Sequence, residues 1–277
     1  PERHRAFVED LLDAHGVGAL PEGQRRPSRA LGTEATSLPL VEVALAHPTR
    51  LLVNALGPPP PEVVDQAHDC GVPVGALVGT VAQAERQVAN GVDLVIAQGT
   101  EAGGHTGDIA TMVLVPEVVD AVGPTPVLAA GGIASGRQMA AALALGAEGV
   151  WTGSLWLTVQ EADTTPMVRD KLLAARSGDT VRSRSITGKP VRQLRNAWTE
   201  AWDAPGAPTP LQWPLQTMLA TPAMARIERA QARELAGMPV GQVVGRLDAV
   251  RPAREVVFEM VDEMIDAITR VHQLLED

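Results

Sequence analysis

The chain has one cysteine, Cys70, in 277 residues. A single thiol excludes a disulfide within the chain and any cysteine-based metal cluster. Cys70 precedes a Gly-Val-Pro turn at the end of a helix-like segment, where it reads as a small core residue rather than a nucleophile. Long basic runs are also missing. The chain carries 23 Lys+Arg against 33 Asp+Glu, a net charge of −10, whereas a nucleic-acid surface needs a concentrated basic patch. No apolar run reaches membrane-spanning length, and no signal-peptide pattern opens the chain. Besides His105, the other histidines (His4, His15, His47, His68, His272) show no metal-ligand spacing. These absences predict a soluble cytoplasmic protein without nucleic acid or membrane among its partners. The chain opens on Pro1 rather than methionine, as a fragment or a trimmed chain would.

What is present is apolar and regularly spaced. Apolar residues make up 45 % of the chain, enough for a sizeable core. Five short apolar runs recur: RLLVNALG (50–57), VPVGALVG (72–79), VDLVIAQG (92–99), TPVLAAGG (125–132) and EGVWTGSLW (148–156). Near-continuous apolar segments of this length are the mark of strands buried on both faces, as in a parallel sheet. Between them lie helix-like segments, PEVVDQAHDCG, TVAQAERQVANG, PEVVDAVG and SGRQMAAALALGA, that mostly stop at Gly. The pattern is a βα repeat. Glycines at the carboxyl ends of several strands favour a TIM-type (β/α)8 barrel over an open doubly wound sheet. A closed barrel needs eight strands, and the sequence shows five, so an N-terminally incomplete barrel is expected. Residues 1–157 form this partial barrel, 158–245 a smaller, mostly helical inserted lid, and 246–277 a C-terminal helix packing back on the barrel. Within the insertion, residues 158–182 read as helical, and 183–240 show no clear repeat.

The strand ends carry the candidate chemistry. Gly131 and Gly132 let backbone amides approach an anion closely. The helix after them, with Ser135 as its cap, would aim free N–H groups at the same spot. Gly153 and Ser154 offer a second set of amides and a hydroxyl one strand further on. In βα barrels the loops after the last two strands often hold a phosphate together; taken singly, each glycine is only a turn or a cap. His105 sits in GTEAGGHTGD (99–108), directly after a strand-like run. It reads either as a general base on the same rim or as a satisfied loop histidine. Asn54 and Gln98 end two strands with amides, which suit the edge of a flat polar heterocycle or simply anchor a loop. Trp198, Trp202 and Trp213, with Arg182, Arg184, Arg192 and Arg195, read as surface packing or as a basic aromatic lid facing an anionic substrate.

IAQGTEAGGHTG followed by PVLAAGGIASGRQMAAALALGAEGVWTGSLWL resembles the nitronate monooxygenase family, the 2-nitropropane dioxygenase-like flavoproteins. SRSITGKPVRQLRN and PVGQVVG resemble that family too, and the likeness runs from about residue 33 to 250. The resemblance implies an FMN-dependent βα barrel with a smaller helical domain over the flavin. It implies that the FMN phosphate lies on Gly131, Gly132, Gly153 and Ser154, with Gln98, Gly103 and Ala129 near the ring or ribityl chain. His105 matches the family's active-site histidine, and Gln242 matches a segment that reaches the site. The family commonly has threonine where Ser154 stands, and its opening P-I-x-x-x-P-M and G-G-x-G motifs are not found here, so roughly the first three of eight strands are expected to be absent.

The activity implied is oxidative denitrification of an alkyl nitronate or nitroalkane with dioxygen, His105 binding the nitro group or removing the α-proton. Two alternatives stay open. One is an FMN-dependent NAD(P)H:quinone or enoyl-thioester reductase. The other is an inactive truncated barrel, and a homodimer that supplies the missing strands is also left open.

Overall fold

The computed structural model describes residues 2–21 and 34–275. Residues 22–33, read from the sequence as part of the partial barrel, lie outside the described residues. The chain divides into two compact units. The sheet unit comprises residues 32–102, 106–161 and 250–277. The inserted unit comprises residues 1–31, 103–105 and 162–249.

Among the described residues the sheet unit contains five strands, β1 (Leu52–Asn54), β2 (Val74–Val78), β3 (Leu94–Gln98), β5 (Val127–Ala130) and β6 (Gly149–Trp151). All are parallel, in the spatial order β1-β2-β3-β5-β6. That order never reverses. It is the singly wound wall of a TIM-type barrel, and a doubly wound sheet would change direction at a switch point. The helices of this unit are α2 (Glu34–Leu45), α3 (Pro61–Asp69), α4 (Val81–Ala89), α5 (Thr111–Val122), α6 (Gly136–Ala144) and α10 (Ala253–Gln273). Burial on both faces explains the unbroken apolar runs: Val74, Ala76, Val95, Ile96, Ala97, Val127 and Ala129 are all buried. Strand-to-helix turns are set locally. Thr80 caps α4 by accepting the Gln83 N–H at 3.2 Å, and Ser135 caps α6 through the Gln138 N–H.

The inserted unit contains α1 (Glu2–Ala14), β4 (Gly104–His105), α7 (Pro166–Ala174), β7 (Thr180–Ser183), β8 (Val191–Leu194), α8 (Ala197–Asp203) and α9 (Leu215–Ala230). The three strands form a small antiparallel sheet in the order β4-β8-β7. Helix α1, placed by the sequence pattern beside the barrel strands, packs in this unit. Its Val8 and Leu12 join Trp198, Trp202, Ala220, Ala223, Ile227 and Leu235 in one buried cluster. Phe7 meets Trp202 edge-on, ring centroids 4.9 Å apart. Arg226 ties the entry of the chain to α9. It donates to Glu9 at 2.8 Å, to Gly18 O at 2.9 Å and to Val17 O at 3.0 Å.

Several expectations need correcting. Cys70 is exposed at the end of α3 rather than packed in the core. Residues 158–182 are only partly helical: they hold α7, short 3-10 turns and most of the first hairpin strand. Trp198 and Trp202 are core residues, and Arg192 is buried with Nη1 donating to Thr180 Oγ1 at 3.1 Å. These three do not line a surface lid.

Candidate active site

In the sheet unit, three strand ends converge on one edge. Register pairs Gln98 with Ala130 and Ala130 with Trp151, so the Gly99, Gly131 and Thr152 turns leave adjacent strands together. Gly131 (φ +91°) and Gly132 (φ +72°) both occupy the left-handed region that favours glycine. A Cβ on Gly131 would lie 2.9 Å from Gly99 O and 3.1 Å from Thr111 Oγ1. The turn is therefore packed directly on the loop that leads toward His105 in the chain.

Glu101 locks that loop. Ala110 stands at the N-cap of α5 and has no side chain able to cap it. The Glu101 carboxylate does so from ten residues upstream, accepting the Thr111 N–H at 3.0 Å. The Thr111 hydroxyl lies 2.9 Å from both Glu101 Oε2 and Gly131 O. By accepting the Thr111 N–H, one carboxylate fixes the start of a helix and the glycine loop, and it places the Thr111 hydroxyl, with its single proton, beside Gly131 O of the Gly-Gly turn. Nothing in the sequence marks this role, because the partners are joined only through the fold.

The two turns expected to hold a phosphate lie at the ends of adjacent strands, with one difference from the expectation. Gly153 is exposed, and a Cβ on it would meet nothing within 4 Å, so space is open beside this turn. Ser154 begins a short 3-10 turn, Ser154–Thr158, pinned by Trp156 Nε1 donating to Thr152 O at 3.0 Å. The α6 N-terminus, expected to offer free N–H groups, is already engaged. Gly136 N donates to Glu263 Oε2 of α10 at 2.8 Å, and Ala134 N donates to Gln138 Oε1 at 2.9 Å. Arg137 Nε pairs with the other Glu263 oxygen at 2.8 Å. An anion here would rest on the amides of Gly132 and Ile133, which have no acceptor among the described residues, and on the Gly153–Ser154 turn. That donor set and the open space at Gly153 fit a phosphate.

The remaining residues expected around a flavin differ in what they show. Gln98 is half-buried at the end of β3. Asn54 Nδ2 donates to Gly57 O at 2.7 Å, the loop-anchoring arrangement. Ala129 is fully buried within β5 and presents no surface; it shapes the sheet beneath the strand ends.

In the inserted unit, β4 pairs with β8, setting His105 opposite Val191 and Gly104 opposite Arg192. Gly103 is required where it stands. A Cβ would come 2.7 Å from Gly241 N and from Val240 Cα, a backbone-on-backbone contact. This close approach brings the Gly103–His105 stretch against the segment that carries Gln242. Gln242 itself is half-buried in the 3-10 turn Gln242–Arg246. His105 is half-buried as well, with Nε2 2.9 Å from Thr187 Oγ1. Burial first, and the nearby Lys189 cation second, hold its imidazole below the ordinary histidine value. It is thus a neutral base near neutral pH. Thr187 was not singled out by sequence pattern, although it lies inside the SRSITGKP segment quoted for the resemblance.

Among the described residues no group of three or more His, Cys, Asp or Glu could hold a metal ion, and no helix is long and apolar enough to cross a membrane.

Comparison with known proteins identifies the family. Residues 29–263 match the family described as nitronate monooxygenase. A Mycobacterium tuberculosis protein named "Putative monooxygenase Rv1533" is 59% identical over 285 residues, covering 100% of this chain and 76% of that protein. A Staphylococcus aureus "Probable nitronate monooxygenase" is 33% identical over 201 residues, covering 68% of this chain and 56% of its own length, so the chain spans little more than half of that relative. Among solved structures, nitroalkane oxidase from Streptomyces ansochromogenes superposes with a TM-score of 0.82 at 28% identity, covering 98% of this chain and 78% of that one. FabK from Thermotoga maritima gives 0.76 at 26% identity, covering 97% and 91%. The extent of the family match and these relatives together show that the chain belongs to the nitronate monooxygenase family.

Proposed function

We propose that this chain carries the flavin-phosphate cradle and the catalytic base of an FMN-dependent oxidation of alkyl nitronates and nitroalkanes by dioxygen, a reaction that yields a carbonyl compound and a nitrogen oxyanion. The observation that carries the reading is His105, a half-buried imidazole kept neutral beside a cation, on the glycine-rich segment that the family match covers. FMN, when bound, supplies the electron-accepting ring and the reaction with dioxygen.

The chain's own residues do the rest. Gly131, Gly132, Gly153 and Ser154 hold the phosphate through backbone amides and one hydroxyl, and Glu101 keeps the Gly-Gly turn in register through Thr111. Gln98 offers an amide to the ring edge, and Gly103 leaves room for close approach of backbone. His105 accepts the α-proton of a neutral nitroalkane, or hydrogen-bonds the nitro group of a nitronate that needs no deprotonation. Gln242 stands on the substrate side.

The likeness to FabK keeps one alternative in view, an FMN-dependent NAD(P)H:quinone or enoyl-thioester reductase. Anaerobic mixing separates the two. With nitronate, the visible flavin band is expected to bleach within the turnover time, while NADH and NADPH leave it unchanged. Bleaching by NADH or NADPH with none by nitronate would replace this reading with the reductase.

A further inference from the structure

The turn between β7 and β8 is tied down at more points than a hairpin turn needs. Gly188 N donates to Arg184 O at 2.9 Å, and Arg184 Nε donates back to Gly188 O at 2.8 Å. Gly188 has φ +80°, and its α-carbon lies so close to the backbone of Leu211 and Trp213 that no Cβ fits. Lys189 places its ammonium 5.2 Å from the centre of the Trp213 ring. Thr187 sits between these ties, and its side chain turns back on the turn itself. Its hydroxyl lies 3.2 Å from Lys189 O and 3.3 Å from Lys189 N. The third neighbour of that hydroxyl is His105 Nε2, at 2.9 Å.

A hydroxyl has one proton to donate and two lone pairs to accept with. Lys189 O can only accept, so it takes the Thr187 proton. Lys189 N–H can only donate, so it takes one lone pair. The remaining lone pair faces His105 Nε2, and that contact is a hydrogen bond only if Nε2 carries a proton. If Thr187 donated to Nε2 instead, Lys189 O would lose this donor. A neutral imidazole protonated at Nε2 has its basic lone pair at Nδ1, and Nδ1 has no hydrogen bond among the described residues.

We propose that Thr187 is a positioning residue for His105: held in the Arg184–Lys189 turn, it fixes the Nε2–H tautomer and leaves Nδ1 as the nitrogen that takes the substrate α-proton. The inference rests on His105 being the base, as set out above. The charged groups around the ring in this unit are consistent with a neutral imidazole. Lys189 disfavours its protonation, Arg184 is engaged with Gly188 O, and Arg192 across from Gly104 directs its guanidinium to Thr180.

The test reads the ring directly. In flavin-loaded protein labelled with 15N-histidine, the His105 ring signals are identified by their loss in His105→Gln. At a pH where the ring is neutral, the wild type is expected to show a protonated Nε2 and an unprotonated Nδ1. Thr187→Ser keeps that pattern. Thr187→Val gives a mixture of tautomers and lowers kcat on a neutral nitroalkane by about 10- to 100-fold, part of the roughly 10²–10⁴-fold that a positioned general base contributes. Turnover of preformed nitronate falls less, and flavin content is unchanged. If Thr187→Val does not fold, Thr187→Ala carries the same expectation. A protonated Nδ1 in the wild type, or an unchanged tautomer in the valine or alanine variant, overturns the proposal. Failure of the base assignment itself shows separately, as full nitroalkane turnover in His105→Ala whatever the ring signals report.

Discussion

At the scale of single residues, the proposed role of the His105 imidazole carries a pH dependence. Burial and the Lys189 cation both favour its neutral form, so its folded value lies below the ordinary 6.5. A base must be unprotonated to act. The kcat/KM for a neutral nitroalkane should therefore rise with pH through a value below 6.5 and stay level above it. Lys189→Gln removes the second cause and leaves the first, and the acid limb should move up toward 6.5 without passing it. An unmoved limb in that variant would mean that Lys189 does not act on the base. The same shift works against stability in acid. Between the folded value and 6.5 the unfolded chain binds more protons, so this group's contribution rises with pH across that window. Its penalty is complete below the folded value and absent above 6.5. His105 could be picked out from the glycines around it and from the family resemblance. Glu101, Glu263 and Thr187 could not. Each acts on a partner 10, 127 or 82 residues away, and no local pattern encodes such pairings.

Elements show the same division between local and distant causes. The five apolar runs correspond to β1, β2, β3, β5 and β6, because strands buried on both faces must be apolar throughout. The antiparallel pair β7 and β8 gives no such signal. Its sequences are TVRS and VRQL, and Thr180, Ser183, Arg192 and Gln193 are buried polar residues held by the fold rather than by apolar pattern. Helix α5 begins at Thr111, five residues before the Pro116 that reads as a helix start. Helix α9 contains Pro222 and shows no clean apolar period, so it is silent in the sequence. Two variants probe how α6 and α10 are joined. Gly136→Ala would drive a Cβ into the α10 backbone at Met260 and Met264. It should destabilise the protein by about 1–3 kcal/mol or more in urea unfolding, as overpacking against backbone does. Glu263→Ala removes the acceptor of Gly136 N–H and Arg137, with an expected cost of roughly 1–3 kcal/mol. Unchanged unfolding midpoints for both would show that α10 does not depend on this contact.

For the molecule as a whole, a singly wound parallel wall and an inserted unit with its own core divide the work. The wall presents glycine turns at adjacent strand ends, fit for a phosphate, and in the function proposed above the inserted unit would fix the state of the base. The singly wound order was legible from strands alternating with helices and ending in glycine. The inserted unit's core was not, because it is assembled from α1 at one end of the chain and from α8 and α9 some two hundred residues later. Removing Glu101 tests the cradle. Glu101→Ala should weaken FMN binding by about 10-fold, read as flavin release on dilution, because the helix start beside the Gly-Gly turn loses a hydrogen bond to a charged group. Equal retention would detach the clamp from the cofactor. The central claim, that His105 is the base for nitroalkane oxidation, is met most directly by dioxygen uptake with nitroethane and with preformed ethyl nitronate, in wild type and His105→Ala at equal flavin absorbance. The account predicts a fall of roughly 100-fold or more with nitroethane and a much smaller one with the nitronate. Equal rates on nitroethane in the two proteins would contradict it.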